Sequence, residues 1–119
     1  MAAKNPKKGA VVQKTDPLIS FTMSVEMEKK VDPRIKDFEW NLNTACNFEK
    51  ATGHSINELK LDSNIDFKAL VWAGLVTKYK DLTEDDVGRM IDFVNYPPTL
   101  FIIRAKMRGE KNWEPRPTG

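Results

Sequence analysis

The sequence has a single cysteine and a single histidine, and this scarcity excludes much of the chemistry that small proteins perform. Cys46 alone cannot form an intramolecular disulfide, and no zinc-site spacing surrounds it. His54 lies beside Gly53 in a predicted loop, without a serine or cysteine at a spacing that suits a catalytic triad, so we interpret it as a solvent or capping-region residue. The sequence therefore predicts no catalytic residue, no metal site and no cofactor, and we expect a binding protein and not an enzyme.

Glycine-rich loops and long apolar runs are also missing. The glycines are isolated, and no glycine-rich loop follows a strand, so a site for nucleotide phosphates is not indicated. The longest apolar run, Leu70 to Val76, is far shorter than the roughly 20 residues that a membrane-spanning helix needs. Residues 1–12 lack the apolar stretch of a secretory signal. We therefore expect no membrane partner and a protein that is not exported.

Charge is nearly balanced over the whole chain but concentrated at its ends. Lys and Arg number 19 against 17 Asp and Glu, and four lysines precede the first acid, Asp16. We predict a disordered basic arm over residues 1–17, one helical domain over 18–108 and a flexible tail over 109–119. Such ends ordinarily serve solubility, although they could also attract an acidic partner.

The segment after the arm has the alternation of a strand. Apolar and polar residues alternate from Leu18 to Met27, which predicts a half-buried strand. The side chains that would share its apolar face are Ile19, Phe21, Met23, Val25 and Met27. Phe38 and Trp40 flank Glu39 and predict a short return strand, so we expect a strand pair within residues 18–40.

Helix patterns occupy most of the remaining chain. The predicted helices cover residues 43–53, 66–79 and 83–94, a short turn follows Ser55, and a final helix runs from about residue 98 to 109. The helix over 66–79 is apolar on most of its circumference, which predicts the central element of the core. Thr83 and Asp86 have the spacing of a capping box, and Asp85 and Asp86 are best interpreted as helix-start acids. The expected fold is mainly α (α+β): a compact bundle of about four to five short helices with a short N-terminal β-strand or hairpin and flexible basic termini.

Two places have more apolar surface than one core should need. Leu100 to Ile103 are four consecutive apolar residues on a predicted helix, so we expect at least one to point outward. Trp113 lies in a charged tail, where an unpacked indole would suit contact with another protein. The predicted partner-binding residues are Phe101, Ile102, Met107 and Trp113.

Three segments taken together resemble the tail assembly chaperones of long-tailed, siphovirus-like bacteriophages. The segments are NLNTACNFEKATGHS from Asn41 to Ser55, FKALVWAGL from Phe67 to Leu75 and LTEDDVG from Leu82 to Gly88. They fall within roughly half of the chain, from Phe38 to Val94. The lysine-rich arm and the basic tail lie outside the resemblance.

The resemblance implies a protein of the host bacterial cytoplasm that acts during tail morphogenesis and is not retained in the virion. Its implied partners are the tape measure protein, which it keeps soluble, and the major tail tube protein; self-association is a further expectation. It also implies a longer product made by ribosomal frameshifting. Two alternatives stay open: a structural tail or head-completion protein that remains in the virion, and a small nucleic-acid-binding module. The pI of about 8.7 favours the latter, but acids at the helix starts oppose it, so nucleic acid is not an expected partner.

Overall fold

A computed structural model of the chain describes residues 11–12, 14–16, 21–109 and 116–117, and the described fold is mainly helical. The α-helices are α1 (Val25–Lys29), α2 (Leu42–Thr52), α3 (Asn64–Leu75), α4 (Glu84–Met90) and α5 (Tyr96–Met107). Two 3-10 helices, Pro33–Asp37 and Ile56–Glu58, flank α2 along the chain. Four short strands, β1 (Val11–Val12), β2 (Lys14–Asp16), β3 (Phe21–Met23) and β4 (Arg116–Pro117), form two antiparallel pairs, β1 with β4 and β2 with β3. The predicted helical bundle is confirmed.

Local side-chain caps fix where the helices begin and end. At the start of α2, Asn41 Oδ1 accepts from the Thr44 amide at 3.2 Å, and Thr44 Oγ1 accepts from the Asn41 amide at 3.3 Å. Gly53 ends α2 with a φ of 80°, a left-handed conformation that glycine adopts without a steric penalty. The predicted capping box at Thr83 is present, with both of its bonds at 3.0 Å. These boundaries were predictable because each depends on residues that are close in sequence.

The strand prediction for residues 18–40 is wrong beyond Met23. Strand β3 ends there because Ser24 Oγ accepts the Met27 amide at 3.3 Å and caps α1. The return strand around Phe38 is absent; β3 pairs instead with β2, which lies within the predicted arm. Asp32 caps the 3-10 helix that begins at Pro33, and this turns the chain before Phe38. Alternation over such a short window did not separate strand from helix.

Helix α3 is the centre of the core, as predicted, but it covers residues 64–75 and not 66–79 because Ser63 caps its start and the helix ends at Leu75. Its buried side chains face several directions, and it packs against α2, α4 and the first 3-10 helix. Asn47 Nδ2 donates to the Ala73 carbonyl at 3.2 Å and ties α2 to the second half of α3. Trp72 is half-buried and donates from Nε1 to the Leu82 carbonyl at 2.8 Å, which fixes the chain that leads into α4. The buried residues of α3 are Asp66, Phe67, Ala69, Leu70, Val71, Ala73, Gly74 and Leu75.

Gly74 permits a close approach of residues 38–39 to α3. The Glu39 amide donates to the Gly74 carbonyl at 3.0 Å, which draws residues 38–39 onto α3. A β-carbon at Gly74 would lie 2.3 Å from two ring carbons of Phe38 and 2.9 Å from the Glu39 carbonyl oxygen. Phe38 is itself buried, so its ring has little room to move. Only glycine fits this contact.

Replacing Gly74 with alanine should therefore lower the free energy of unfolding by about 1–3 kcal/mol through overpacking. Urea denaturation followed by circular dichroism measures the change. Gly88→Ala is the matched control, because a β-carbon there would come no closer than 3.5 Å to its nearest neighbour, the Lys68 stem. The control should gain about 0.5–1 kcal/mol from the loss of a helix-interior glycine. A Gly74→Ala protein as stable as the wild type would refute the close contact.

A polar cluster joins the first 3-10 helix to the chain just after α3. The Tyr79 hydroxyl donates to Asp37 Oδ2, and Lys78 Nζ lies 3.0 Å from Asp37 Oδ1. The hydrogen bond from Tyr79, followed by the ammonium of Lys78, lowers the pKa of the Asp37 carboxyl below its ordinary value of 3.8. The folded chain therefore stabilises the ionised form of this carboxyl more than the unfolded chain does, and ionisation of Asp37 favours folding.

The lowered pKa of Asp37 predicts that the stability of the protein depends on pH in the acidic range. The contribution of Asp37 is complete above its unfolded pKa of about 3.8 and is lost as the pH falls through the lower folded value. The loss of stability between about pH 5 and pH 2 should be smaller in Asp37→Asn than in the wild type. The carboxyls of Asp32 and Asp86 also have lowered pKa values, so part of the dependence should remain. Thermal unfolding across this pH range tests it, with exposed Asp81→Asn as the control; equal losses in all three proteins would contradict it.

Candidate partner-binding site

The predicted apolar patch on the last helix is not on the surface. Phe101 and Ile102 are 2% and 0% exposed, and Leu100 and Ile103 are buried as well. The expectation that one of these four residues points outward is wrong, because α5 contacts both β3 and the first 3-10 helix and is covered from more than one side. Met107 is half-buried against the core, and Trp113 lies outside the described residues. A partner-binding role for these residues stays a prediction, which for Phe101 and Ile102 would require α5 to leave the core.

The structure has instead an apolar groove between the first half of α3 and the second half of α4. Its volume is about 480 Å³, within the range of roughly 300–1,000 Å³ that is common for binding sites. We call it the α3/α4 groove. Its lining residues are Asn64, Phe67, Lys68, Val87, Gly88, Ile91, Asp92, Phe93 and Tyr96.

Aromatic and aliphatic side chains form most of the groove wall. The rings of Phe67 and Tyr96 pack edge to face, with centroids 5.1 Å apart, and join α3 to the start of α5. Val87, a residue of α4, is fully buried. Burial, together with the nearby carboxylate of Asp62, raises the pKa of the Tyr96 hydroxyl. This wall is suited to an apolar surface and not to a highly charged ligand.

Gly88 leaves the groove open on the side of α4. It lies inside a helix, where alanine would be more favourable, and is exposed. Unlike Gly74, it is not required by a close contact, because the nearest atom to an added β-carbon is Lys68 Cδ at 3.5 Å. The absent side chain therefore widens the groove without serving the packing of α3 against α4.

A hydrogen-bonded turn at one end of the groove presents Phe93 to solvent. Asp92 Oδ1 accepts from the amides of Val94 and Asn95, both at 2.9 Å, and Asn95 Oδ1 accepts from the Asp92 amide at 2.8 Å. Asn95, only 8% exposed, also donates from Nδ2 to the carbonyls of Met90 at 3.0 Å and Lys30 at 3.2 Å. Phe93 is 100% exposed on this fixed backbone. One end of the groove thus carries a large aromatic side chain that does not pack in the core.

Sequence reasoning missed the turn because it continued α4 to Val94. The helix ends at Met90, and Pro97 and Pro98 lie in the first turn of α5, where proline is tolerated, and do not terminate α4. The available signal was the Asp92–Asn95 pair, since these residue types bond to nearby backbone and favour turns. The predicted helix over residues 83–94 included Phe93 and gave no reason to single it out.

Asp86, Asp66 and the histidine have structural partners. Asp86 belongs to the cap of α4, and buried Asp66 accepts from the Lys60 amide at 3.0 Å. His54 Nε2 lies 3.3 Å from Asp66 Oδ1, and its ring packs edge to face on Phe48. Among the residues that the structure describes, no group of three or more His, Cys, Asp or Glu side chains could hold a metal ion. None of the helices in the described part of the chain is both long enough and apolar enough to cross a bilayer.

Neither a protein-family model, nor a curated protein, nor a solved structure matches the chain. The α3/α4 groove and its exposed turn are therefore the features from which a function can be argued.

The turn and the side chain that it presents should respond differently to substitution. Phe93→Ser should change the free energy of unfolding by less than about 0.5 kcal/mol, because the ring makes no contribution to the core. Asn95→Ala should lower it by about 1–3 kcal/mol, because the carbonyls of Met90 and Lys30 lose their donor. Urea denaturation of both variants measures this. Equal destabilisation by the two substitutions would show that Phe93 packs in solution.

Proposed function

We propose that this protein is a phage tail assembly chaperone that binds apolar helical segments of the tape measure protein in the α3/α4 groove. The observation that carries the proposal is the fully exposed Phe93, held by a hydrogen-bonded turn at the end of that groove. The resemblance of Asn41–Ser55, Phe67–Leu75 and Leu82–Gly88 to tail assembly chaperones gives the proposal its biological setting. The chain then acts in the host cytoplasm, without enzymatic activity, and is absent from the finished virion.

The chemistry of the groove suits this task. A tape measure protein is a long helical chain whose apolar stripe would aggregate unless it were covered. An amphipathic helix laid into an apolar groove buries such a stripe while its polar face stays in water. Burying one Phe side chain contributes on the order of 1.5–3 kcal/mol, so Phe93 can act as an anchor for a weak, reversible contact.

Reversibility also follows from how the groove is built. Two lining residues, Phe67 and Val87, are buried in the core. The rest of the lining is exposed or half-buried and includes the fully exposed Phe93 and the exposed Gly88. Binding therefore needs little rearrangement of the fold. A chaperone that must release the tape measure when the tube subunits polymerise needs binding of this kind.

Co-expression with a fragment of a phage tape measure protein tests the proposal. The wild-type chain should raise the soluble fraction of the fragment, and Phe93→Asp should abolish that gain because a charge replaces the apolar anchor. Leu42→Asp is the matched control: Leu42 is 78% exposed but lies at the start of α2, outside the groove lining. An equal soluble fraction with wild type, Phe93→Asp and no chaperone would overturn the proposal.

The two alternative functions give different results. Mass spectrometry of purified particles would detect the chain if it were a structural tail or head-completion protein. A salt-dependent complex with duplex DNA would favour a nucleic-acid-binding module. The tape measure proposal predicts neither outcome.

A further inference from the structure

The α3/α4 groove has two charged residues in its lining, Lys68 and Asp92, and they are not equivalent. The carboxylate of Asp92 accepts two backbone amides of its own turn, so its charge is engaged by the fold. The Lys68 ammonium makes no hydrogen bond or ion pair with any residue that the structure describes. The groove therefore offers one uncommitted positive charge in an otherwise mainly apolar surface.

Lys68 is also positioned by its stem. Its Cδ lies against Gly88, 3.5 Å from where a β-carbon would stand, so the aliphatic part of the side chain crosses from α3 onto α4. The residue is half-buried. A lysine that packs its methylenes in this way leaves its ammonium at the boundary between apolar wall and water. The glycine opens the groove beside the lysine stem.

We propose that Lys68 makes the groove selective for amphipathic helices that carry a carboxylate beside the apolar stripe. This inference rests on the proposed function and adds the chemistry of the preferred partner. The apolar wall supplies affinity for the stripe, and the unpaired ammonium favours a Glu or Asp at its edge. A Lys or Arg at the same place is disfavoured, since two like charges would meet in a partly desolvated site.

The expected size of this preference is modest. Ion pairs near a protein surface have small effects because water and salt screen them, so a carboxylate should improve binding on the order of fivefold over a neutral side chain. The preference should weaken as salt is added, whereas binding of the apolar stripe should not. Selectivity and affinity therefore come from separable parts of the groove.

Three designed helical peptides test the inference. All carry the same leucine stripe at heptad positions a and d, and the flanking e and g positions are all Glu, all Gln or all Lys. Their dissociation constants are measured by fluorescence anisotropy with the wild type, Lys68→Gln and Lys68→Glu. Lys80→Gln is the control for net charge, since Lys80 is exposed, lies outside the groove lining and donates to the Thr77 carbonyl. Circular dichroism verifies that each variant is folded.

The wild type and Lys80→Gln should prefer the Glu peptide over the Gln peptide by about fivefold. Lys68→Gln should remove that ratio while it keeps the affinity for the Gln peptide, and Lys68→Glu should prefer the Lys peptide. A Glu-to-Gln ratio that is the same in wild type and Lys68→Gln would overturn this inference and leave the proposed groove intact. Absence of binding by all three peptides would overturn both.

Discussion

The packing of α3 on almost every side is the constraint on which the other features depend. Its second half is held by α2, by the donor from Asn47 and by the close approach of residues 38–39 to Gly74. Those contacts leave the first half of the helix as the part that can share a groove with α4. Because the core is filled by this packing and by α5, the groove is surface that the fold itself does not use. The first half of α3 also contributes buried residues to the core, among them Phe67 and Ala69, so the groove lies beside a helix that is buried over most of its length.

Local features of the fold could be predicted from sequence, and long-range ones could not. The caps at Asn41, Gly53 and Thr83 depend on residues a few positions apart, and the apolar circumference of α3 indicates a buried helix in any context. The burial of Leu100 to Ile103 depends on which elements cover α5 from its different sides, which the helix does not encode by itself. The strand prediction failed where Ser24 began a helix within an alternating segment.

The candidate site was missed although part of its signal, the Asp92–Asn95 pair, is local. Phe93 looked like one more residue of α4, and its exposure follows from a turn whose Asn95 bonds to Lys30, far away along the chain. Gly74 and Gly88 both lie inside helices, but a β-carbon would clash with residues 38–39 at Gly74 and would make only an ordinary contact at Gly88. What distinguishes the two glycines is the neighbour that a β-carbon would meet. The proposed role in tail assembly accordingly rests on the sequence resemblance, and the proposed binding surface rests on the structure.

Apolar helices should bind in the α3/α4 groove. Nitrogen-15 correlation NMR, recorded while a leucine-stripe helical peptide is titrated into the labelled protein, tests it most directly because every backbone amide reports at once. Shift changes should concentrate at Asn64, Lys68, Gly88 and the 91–96 segment, and residues 42–50 of α2 should be unaffected. Changes centred on α2, or on the buried amides of Phe101 and Ile102, would contradict it.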